Sequence, residues 1–310
     1  MVRSRVEVHS LTGLEFARPA VAIPPEDTKP DAAATRRAEA GLLVSPSVLV
    51  TGASSGIGAA TARLLGDRGF EVFGTSRDPD SLGAGRADLH WIAMDITSED
   101  SVEKGVEAVL HSTPRIDALV CNAGTGIFGS VEEVTIEQAK AQFETNFFGT
   151  LRTLRAVVPH MRKAGSGRIA VIGSLARLAP IPFQAHYSAT KSALDGLVQA
   201  LRNELHPTGV CVSLVDPGDI NTAFNDNTPF GNIGASPYAE RIRRCEQVIL
   251  DSLPKAPGPA VVAEVVHRAL TARRPRVHYY AGPNSGSLPW LRRFVPDGLA
   301  LRFIRRHFKV

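Results

Sequence analysis

The chain has 310 residues, 44% of them hydrophobic and 21% charged, with a formal net charge of +4; that length holds one large α/β domain or two small ones. The basic excess gathers near the C-terminus, in Arg292, Arg293, Arg302, Arg305, Arg306 and Lys309, so it is a local feature and does not mark the whole chain as a nucleic-acid binder. Three scattered cysteines, Cys121, Cys211 and Cys245, lack metal-ligand spacing and suit a reducing, cytoplasmic setting, and no apolar run reaches the roughly 18 residues of a membrane span.

Residues 1–45 stand apart. Pro19, Pro24, Pro25 and Pro30 exclude a regular helix across that stretch, which reads as a poorly ordered N-terminal arm ahead of a domain spanning 46–310. From Ser47 onward short apolar runs alternate with amphipathic stretches. Val48–Val50, Glu71–Gly74, Leu89–Ala93, Ala118–Cys121, Arg168–Ile172 and Val210–Val215 read as strands, and Ile57–Arg68, Ser98–His111 and Ile136–Ala164 as helices between them. Strand and helix at this rhythm predict a single doubly wound α/β domain of the Rossmann kind, its parallel sheet covered on both faces.

The first strand runs straight into Thr51-Gly52-Ala53-Ser54-Ser55-Gly56-Ile57-Gly58, which opens the first helix. Glycines there let the backbone turn sharply against a pyrophosphate, and a helix N-terminus offers it free N–H groups and the positive end of a dipole. The second strand ends in Ser76-Arg77, where an acidic residue would bind a ribose 2′-hydroxyl and repel a 2′-phosphate. A serine followed by a planar cation favours NADP(H) over NAD; the alternative is that Arg77 pairs with Asp78 or Asp80 in its own turn.

Tyr187-Ser188-Ala189-Thr190-Lys191 sets a phenol and an ammonium four apart, on one face of a helix. A nearby cation favours tyrosinate and would bring a phenol with a free pKa of about 10 toward neutrality. Ser174 follows the strand Arg168–Gly173, and strand ends of an open parallel sheet face the ligand crevice. Asn146 sits among apolar residues of a long helix, which asks for buried partners.

The glycine spacing, with its preceding threonine, resembles that of the short-chain dehydrogenase/reductase superfamily, and Asn146, Ser174, Tyr187 and Lys191 match that family's catalytic residues in order and approximate spacing. The resemblance covers roughly Ser47 to Thr222. It implies that Tyr187 is the acid/base, Ser174 a donor to the substrate oxygen, Lys191 a holder of the nicotinamide ribose, and Asn146 the anchor of a proton-relaying water. It also implies that Asp95, followed by Ile96, holds the adenine amine, and that Asn122-Ala123-Gly124 steadies the sheet beside the cofactor, with Cys121 replacing the family's first asparagine. Pro217, Gly218, Ile220 and Thr222 would border the nicotinamide. A homo-oligomer built on the helices carrying Asn146 and Tyr187 is a further implication.

Beyond Thr222 a helical lid over residues 223–256 carries Phe224, Phe230, Ile233 and Tyr238, and a C-terminal extension over 275–310 interleaves aromatic residues with arginine. In these parts the chain is similar to the 17-beta-hydroxysteroid and retinol dehydrogenase-like group. The expectation is an NADPH-dependent ketoreductase or alcohol dehydrogenase acting on a bulky lipophilic substrate. An arginine- and alanine-rich composition suggests a GC-rich genome, and with it a ketoreductase tailoring polyketides or macrolides; steroid, retinoid and fatty-acyl substrates are the rivals. A non-catalytic NADP(H)-sensing protein on the same fold is the alternative from another class. The extension reads either as a basic amphipathic segment on a membrane surface or as a cover for the substrate pocket or an oligomer interface.

Overall fold

The apolar runs become the parallel strands of one sheet. The structure, a computed structural model, describes residues 45–82, 89–222, 224, 228, 236–283 and 285–310. Apart from Ser45, the expected N-terminal arm lies outside the described residues, as do Phe230 and Ile233 of the lid. The strands are β1 (Ser47–Val50), β2 (Glu71–Ser76), β3 (Leu89–Ala93), β4 (Ala118–Cys121), β5 (Gly167–Ile172), β6 (Val210–Pro217) and β7 (His278–Ala281). They pair in the order β3-β2-β1-β4-β5-β6-β7, each pair parallel. The chain is thus a Rossmann-type α/β domain.

Alternation along the strands builds a core on each face of the sheet, as a period of two requires. Leu49, Leu119, Val171 and Leu214 face helices α2 (Glu99–Ser112), α4 (Gly149–Ala164) and α5 (Ala185–Glu204). Val48, Val50, Val120 and Val215 face α1 (Gly56–Asp67) and α7 (Ala260–Thr271). Strand order reverses between β1 and β4, so the connections leaving their carboxyl ends diverge and open a crevice there.

The long helix expected over Ile136–Ala164 is interrupted. Its first part, α3 (Ile136–Phe143), passes through a π-helical turn, Glu144–Phe148, before α4 begins. Such turns are rare and concentrate at functional sites; this one carries the buried Asn146. Residues 278–281, within the C-terminal extension as read from sequence, form the seventh strand, and their short, half-buried pattern carries little strand signal. The lid helix α6 (Ala239–Ser252) joins Phe128, Phe308 and Val310 in a small third cluster, followed in sequence by α8 (Leu288–Phe294) and α9 (Asp297–Phe308).

Two glycines separate the constraints on this fold. A methyl group on Gly58 would lie 2.1 Å from the Gly52 carbonyl and 2.5 Å from Asn122 Nδ2, whereas one on Gly196, on the outside of α5, meets nothing within 4 Å. Gly58→Ala should lower the unfolding free energy by about 2 kcal/mol through overpacking, while Gly196→Ala should raise it by about 0.5–1 kcal/mol through helix propensity. Urea titration of the two variants checks both signs.

Candidate active site

The loop between β1 and α1 is shaped for an anion. Gly52 and Gly56 adopt positive φ, 63° and 54°. Ser55, at the N-cap of α1, is extended and makes no side-chain capping bond, and the first turn holds no acidic residue. At α2 the arrangement is the reverse: Ser98 caps the helix, and Glu99 and Asp100 occupy its first turn. The two ends differ as expected if the positive end of α1 is reserved for a negative ligand. Ser54 and Ser55 are exposed at the loop's surface and Ile57 is half-buried.

Beneath the loop, Thr51 Oγ1 accepts the main-chain N–H groups of Asn122 (2.9 Å) and Ala123 (3.1 Å). Asn122 Nδ2 in turn donates to the carbonyls of Thr51 and Gly52, each at 3.0 Å. Gly124 follows, where a methyl group would lie 3.3 Å from Asn146 Oδ1. Thr51, which the sequence marks only as the threonine preceding the glycine motif, thus acts as a clamp between β1 and the Asn122-Ala123 segment.

Ser76 ends β2 and accepts the N–H of Asp78 (3.2 Å), and Arg77 beside it is exposed. Among the described residues Arg77 makes no ion pair with Asp78 or Asp80. Its charge instead reaches Asp95, whose Oδ1 accepts the Thr97 N–H (2.9 Å) and hydroxyl (2.7 Å). The Thr97 main-chain N–H, then the Thr97 hydroxyl and lastly Arg77, hold the Asp95 carboxyl below its usual range. Ile96 is buried and packs toward Gly149.

Ser174, Tyr187 and Lys191 converge at the carboxyl end of β5. Ser174 caps the short turn Leu175–Arg177, its Oγ accepting the Ala176 N–H at 3.1 Å. Crowding by protein pushes the half-exposed Tyr187 phenol up from its ordinary value, and a hydrogen bond with the Ser174 hydroxyl pulls the other way. Lys191 is buried, its Nζ donates to the Ile172 carbonyl (2.8 Å) and lies 5.6 Å from the centre of the Tyr187 ring. Burial pushes the ammonium down to about 8. In the ligand-free protein, burial thus outweighs the Ser174 hydrogen bond at the phenol, and the Asp216 charge acts in the same direction as burial; the positive charge of a bound oxidised nicotinamide would favour tyrosinate.

Asn146 uses its whole side chain to tie elements together. Oδ1 accepts the Thr125 N–H (2.8 Å), and Nδ2 donates to the Thr125 carbonyl (2.9 Å) and to Thr190 Oγ1 (3.1 Å) on the Tyr187 helix. On the far side of the site, Gly218 donates to the Ala281 carbonyl (2.9 Å), next to Pro217, and Ile220 is buried. Thr222 comes close to Gly56, tying this segment to the glycine loop. Phe224 of the lid places its ring 5.8 Å from that of Tyr187. Sequence reading also missed Asp216 and Arg177, packed behind Ser174; an aspartate closing an otherwise apolar strand was the available signal. Among the described residues no cluster suits a metal ion, and Cys121 and Cys245 are buried thiols pushed up to about 12 by desolvation.

A glycine-lined helix N-terminus at the switch point of a parallel sheet, beside a serine, a tyrosine and a buried lysine, defines a dinucleotide-dependent oxidoreductase. The model of the short chain dehydrogenase family matches residues 46–230, and the chain belongs to that family. It is 37% identical over 239 residues to 3-ketodihydrosphingosine reductase of Bacteroides thetaiotaomicron, covering 76% of this chain and 87% of the relative. It is 35% identical over 274 residues to 17-beta-hydroxysteroid dehydrogenase type 1 of Homo sapiens, covering 81% of each. A short chain dehydrogenase from Burkholderia cenocepacia in complex with NADP superposes with a TM-score of 0.68 at 25% identity, over 83% of this chain and 97% of that one.

The depressed Lys191 pKa has a measurable consequence. Above its unfolded value of 10.5 the amine is neutral in both states; as pH falls toward 8 the unfolded chain takes up the proton first, and stability is lost. Between pH 10.5 and 8 the cofactor-free protein should lose roughly 3 kcal/mol relative to Lys191→Met, read by denaturant unfolding of the two proteins in parallel.

Proposed function

We propose that the protein is an NADP(H)-dependent ketoreductase or alcohol dehydrogenase acting on a bulky lipophilic ketone or its secondary alcohol. The observation that carries this reading is the juxtaposition of Ser174, Tyr187 and buried Lys191 at the mouth of a crevice whose other wall is the uncapped α1 loop. The loop fits a dinucleotide: positive φ at Gly52 and Gly56 turns the backbone sharply into the uncapped N-terminus of α1, whose N–H groups suit a pyrophosphate. Gly52, Gly56 and Gly58, with the N–H groups of Ser54, Ser55 and Ile57, would hold the pyrophosphate. Ser76 and Arg77 would hold the 2′-phosphate, and Asp95 with Ile96 the adenine. Asn122, Ala123 and Gly124 support the loop, while Pro217, Gly218, Ile220 and Thr222 would border the nicotinamide.

When bound, the reduced nicotinamide supplies a hydride to the carbonyl carbon. Ser174 and Tyr187 donate hydrogen bonds to the ketone oxygen, fixed donors aimed at the charge that develops there. Tyr187 then gives up its proton to that oxygen. Lys191 would bind the nicotinamide ribose and hold positive charge beside the phenol, and Asn146 would anchor the water-borne path that returns a proton.

Phe224 against Tyr187 gives the phenol an aromatic, apolar neighbour from the lid, and Tyr238 and Phe183 pair at 6.2 Å in the lid cluster. The relatives at 37% and 35% identity are named for a sphingoid-base ketone and a steroid. A lipid or steroid ketone therefore fits this chain better than the polyketide or macrolide suggested by composition. Three free thiols suit a reducing cytoplasm. Exposed Phe148 and Ile136 on the Asn146 helix support self-association through that surface.

In Tyr187→Phe, turnover of a ketone panel should fall at least 10³-fold, while the NADPH dissociation constant, read by fluorescence, stays within about threefold. The wild type should bind NADPH more tightly than NADH. Turnover surviving in Tyr187→Phe would refute the catalytic assignment, and NADPH binding without turnover of any ketone would favour the sensor.

The extension supports a second contact. No helix among the described residues is long and apolar enough to cross a membrane. Yet Trp290, Leu291, Phe294, Leu299, Leu301 and Phe303 are exposed on α8 and α9 among arginines, while Phe308 and Val310 turn inward against the lid. Exposed apolar and cationic side chains together suit an anionic bilayer surface. Sedimentation with phosphatidylserine vesicles at low salt, weakened by Trp290→Ser/Phe294→Ser, is expected; a protein that stays in the supernatant refutes the contact.

A further inference from the structure

Behind Ser174 lies a buried ion pair that the chemistry above does not use. Asp216, wholly buried near the end of β6, accepts the Ser174 main-chain N–H through Oδ1 (3.0 Å). Its Oδ2 accepts Nε (2.8 Å) and Nη2 (2.7 Å) of Arg177. One carboxylate therefore grips both ends of the turn that carries Ser174. Gly173 makes room for it: a methyl group there would lie 2.2 Å from Asp216 Oδ1.

Arg177 extends the grip to the helix of Tyr187 and Lys191. Its Nη1 donates to Asp195 Oδ2 (2.9 Å), and Asp195 stands one turn beyond Lys191 on α5. Asp195 Oδ1 contacts His278 Nε2 on β7 (2.8 Å). The guanidinium thus ties a strand, a turn and a helix together through three nitrogens, a forked reach that a single ammonium or an apolar residue lacks. Buried ion pairs add little net stability compared with apolar residues of the same volume, so the specificity of the arrangement is what calls for an explanation.

We propose that Arg177 and Asp216 are a positioning pair that sets the Ser174 turn against the Tyr187–Lys191 helix, with Asp195 as its anchor on that helix. The proposal rests on the assignment of Ser174 and Tyr187 made above. Neither member of the pair touches substrate; both act through Ser174 and through the field at Tyr187. The charged and titratable groups around Asp216 are Arg177 on the turn, His278 and Tyr280 on β7, and Asp195, Tyr187 and Lys191 on α5. Around Tyr187 they are Lys191, Asp216 and the Ser174 hydroxyl. The Asp216 charge disfavours tyrosinate, and Arg177, paired with that carboxylate at 2.7 Å, offsets it.

The two partners therefore leave opposite signatures. In Asp216→Asn the alkaline limb of ketone reduction should move to lower pH, because tyrosinate forms more readily once the anion is gone. In Arg177→Met the unpaired Asp216 should move the limb to higher pH. Both variants should lose 10–100-fold in kcat while NADPH affinity changes less than threefold, and Arg177→Lys should recover part of the loss. Absorbance titration of tyrosinate, with Tyr187→Phe subtracted, reads the same two displacements without any substrate, so the pair is tested even if no ketone in the panel is turned over. Displacements of the same sign, unchanged kcat in Arg177→Met, or a loss that tracks NADPH affinity would overturn the proposal. Should either buried variant fail to fold, Asp195→Asn on the partly exposed side decides: a 3–10-fold fall in kcat at constant NADPH affinity supports the pair, and an unchanged kcat overturns it.

Discussion

The Thr51 hydroxyl, taking the main-chain N–H groups of both Asn122 and Ala123, pins β1 to β4 where the strand order turns around. Parallel strands diverge at this point, and without a clamp their ends would leave backbone donors unsatisfied at the floor of the crevice. The clamp fixes where the glycine loop begins, and the side chain of Asn122 then holds that loop's carbonyls from below. The bare N-terminus of α1 is aimed by this scaffold. Everything that can bind an anion here depends on one threonine oxygen accepting twice.

The opposite wall is governed by burial of charge. Lys191 and Asp216 both lie in the protein interior, and desolvation works against the charged form of each. Each is therefore held by named partners: the Ile172 carbonyl for the lysine, Arg177 and the Ser174 N–H for the aspartate. Such a site is strained toward neutrality while empty, and an incoming ligand that brings charge of the right sign relieves it. The folded state thus carries an electrostatic cost that binding offsets, a usual relation between stability and function.

How much of this was legible in the sequence depended on the range of the interactions. Strands β1 to β6 were readable because short apolar runs alternate with helical stretches, and the boundaries fall within a few residues of those expected. The glycine loop and the Tyr187–Lys191 spacing are local patterns, and the geometry brings them to one crevice. Strand β7 was not readable, since His278–Ala281 is only half-buried and follows a stretch without strand character. The clamping role of Thr51 and the Arg177–Asp216–Asp195 chain are not legible for a different reason. Each acts through partners 18 to 72 residues away, and a hydrogen bond across the sheet leaves no periodicity behind.

The π-helical turn at Glu144–Phe148 has a bearing on how this protein can change. It inserts one residue into an otherwise α-helical rod, so the segments on either side are out of phase by about 100°. Upstream, the phase directs Gln142 to the Thr125 carbonyl; downstream, it turns Leu154, Val157 and Met161 into the core. Loss of a single residue here would give a more regular helix and rotate one half away from its partners. Side chains on the exposed face of this rod can drift, but its length cannot: the segment tolerates surface substitution and forbids deletion.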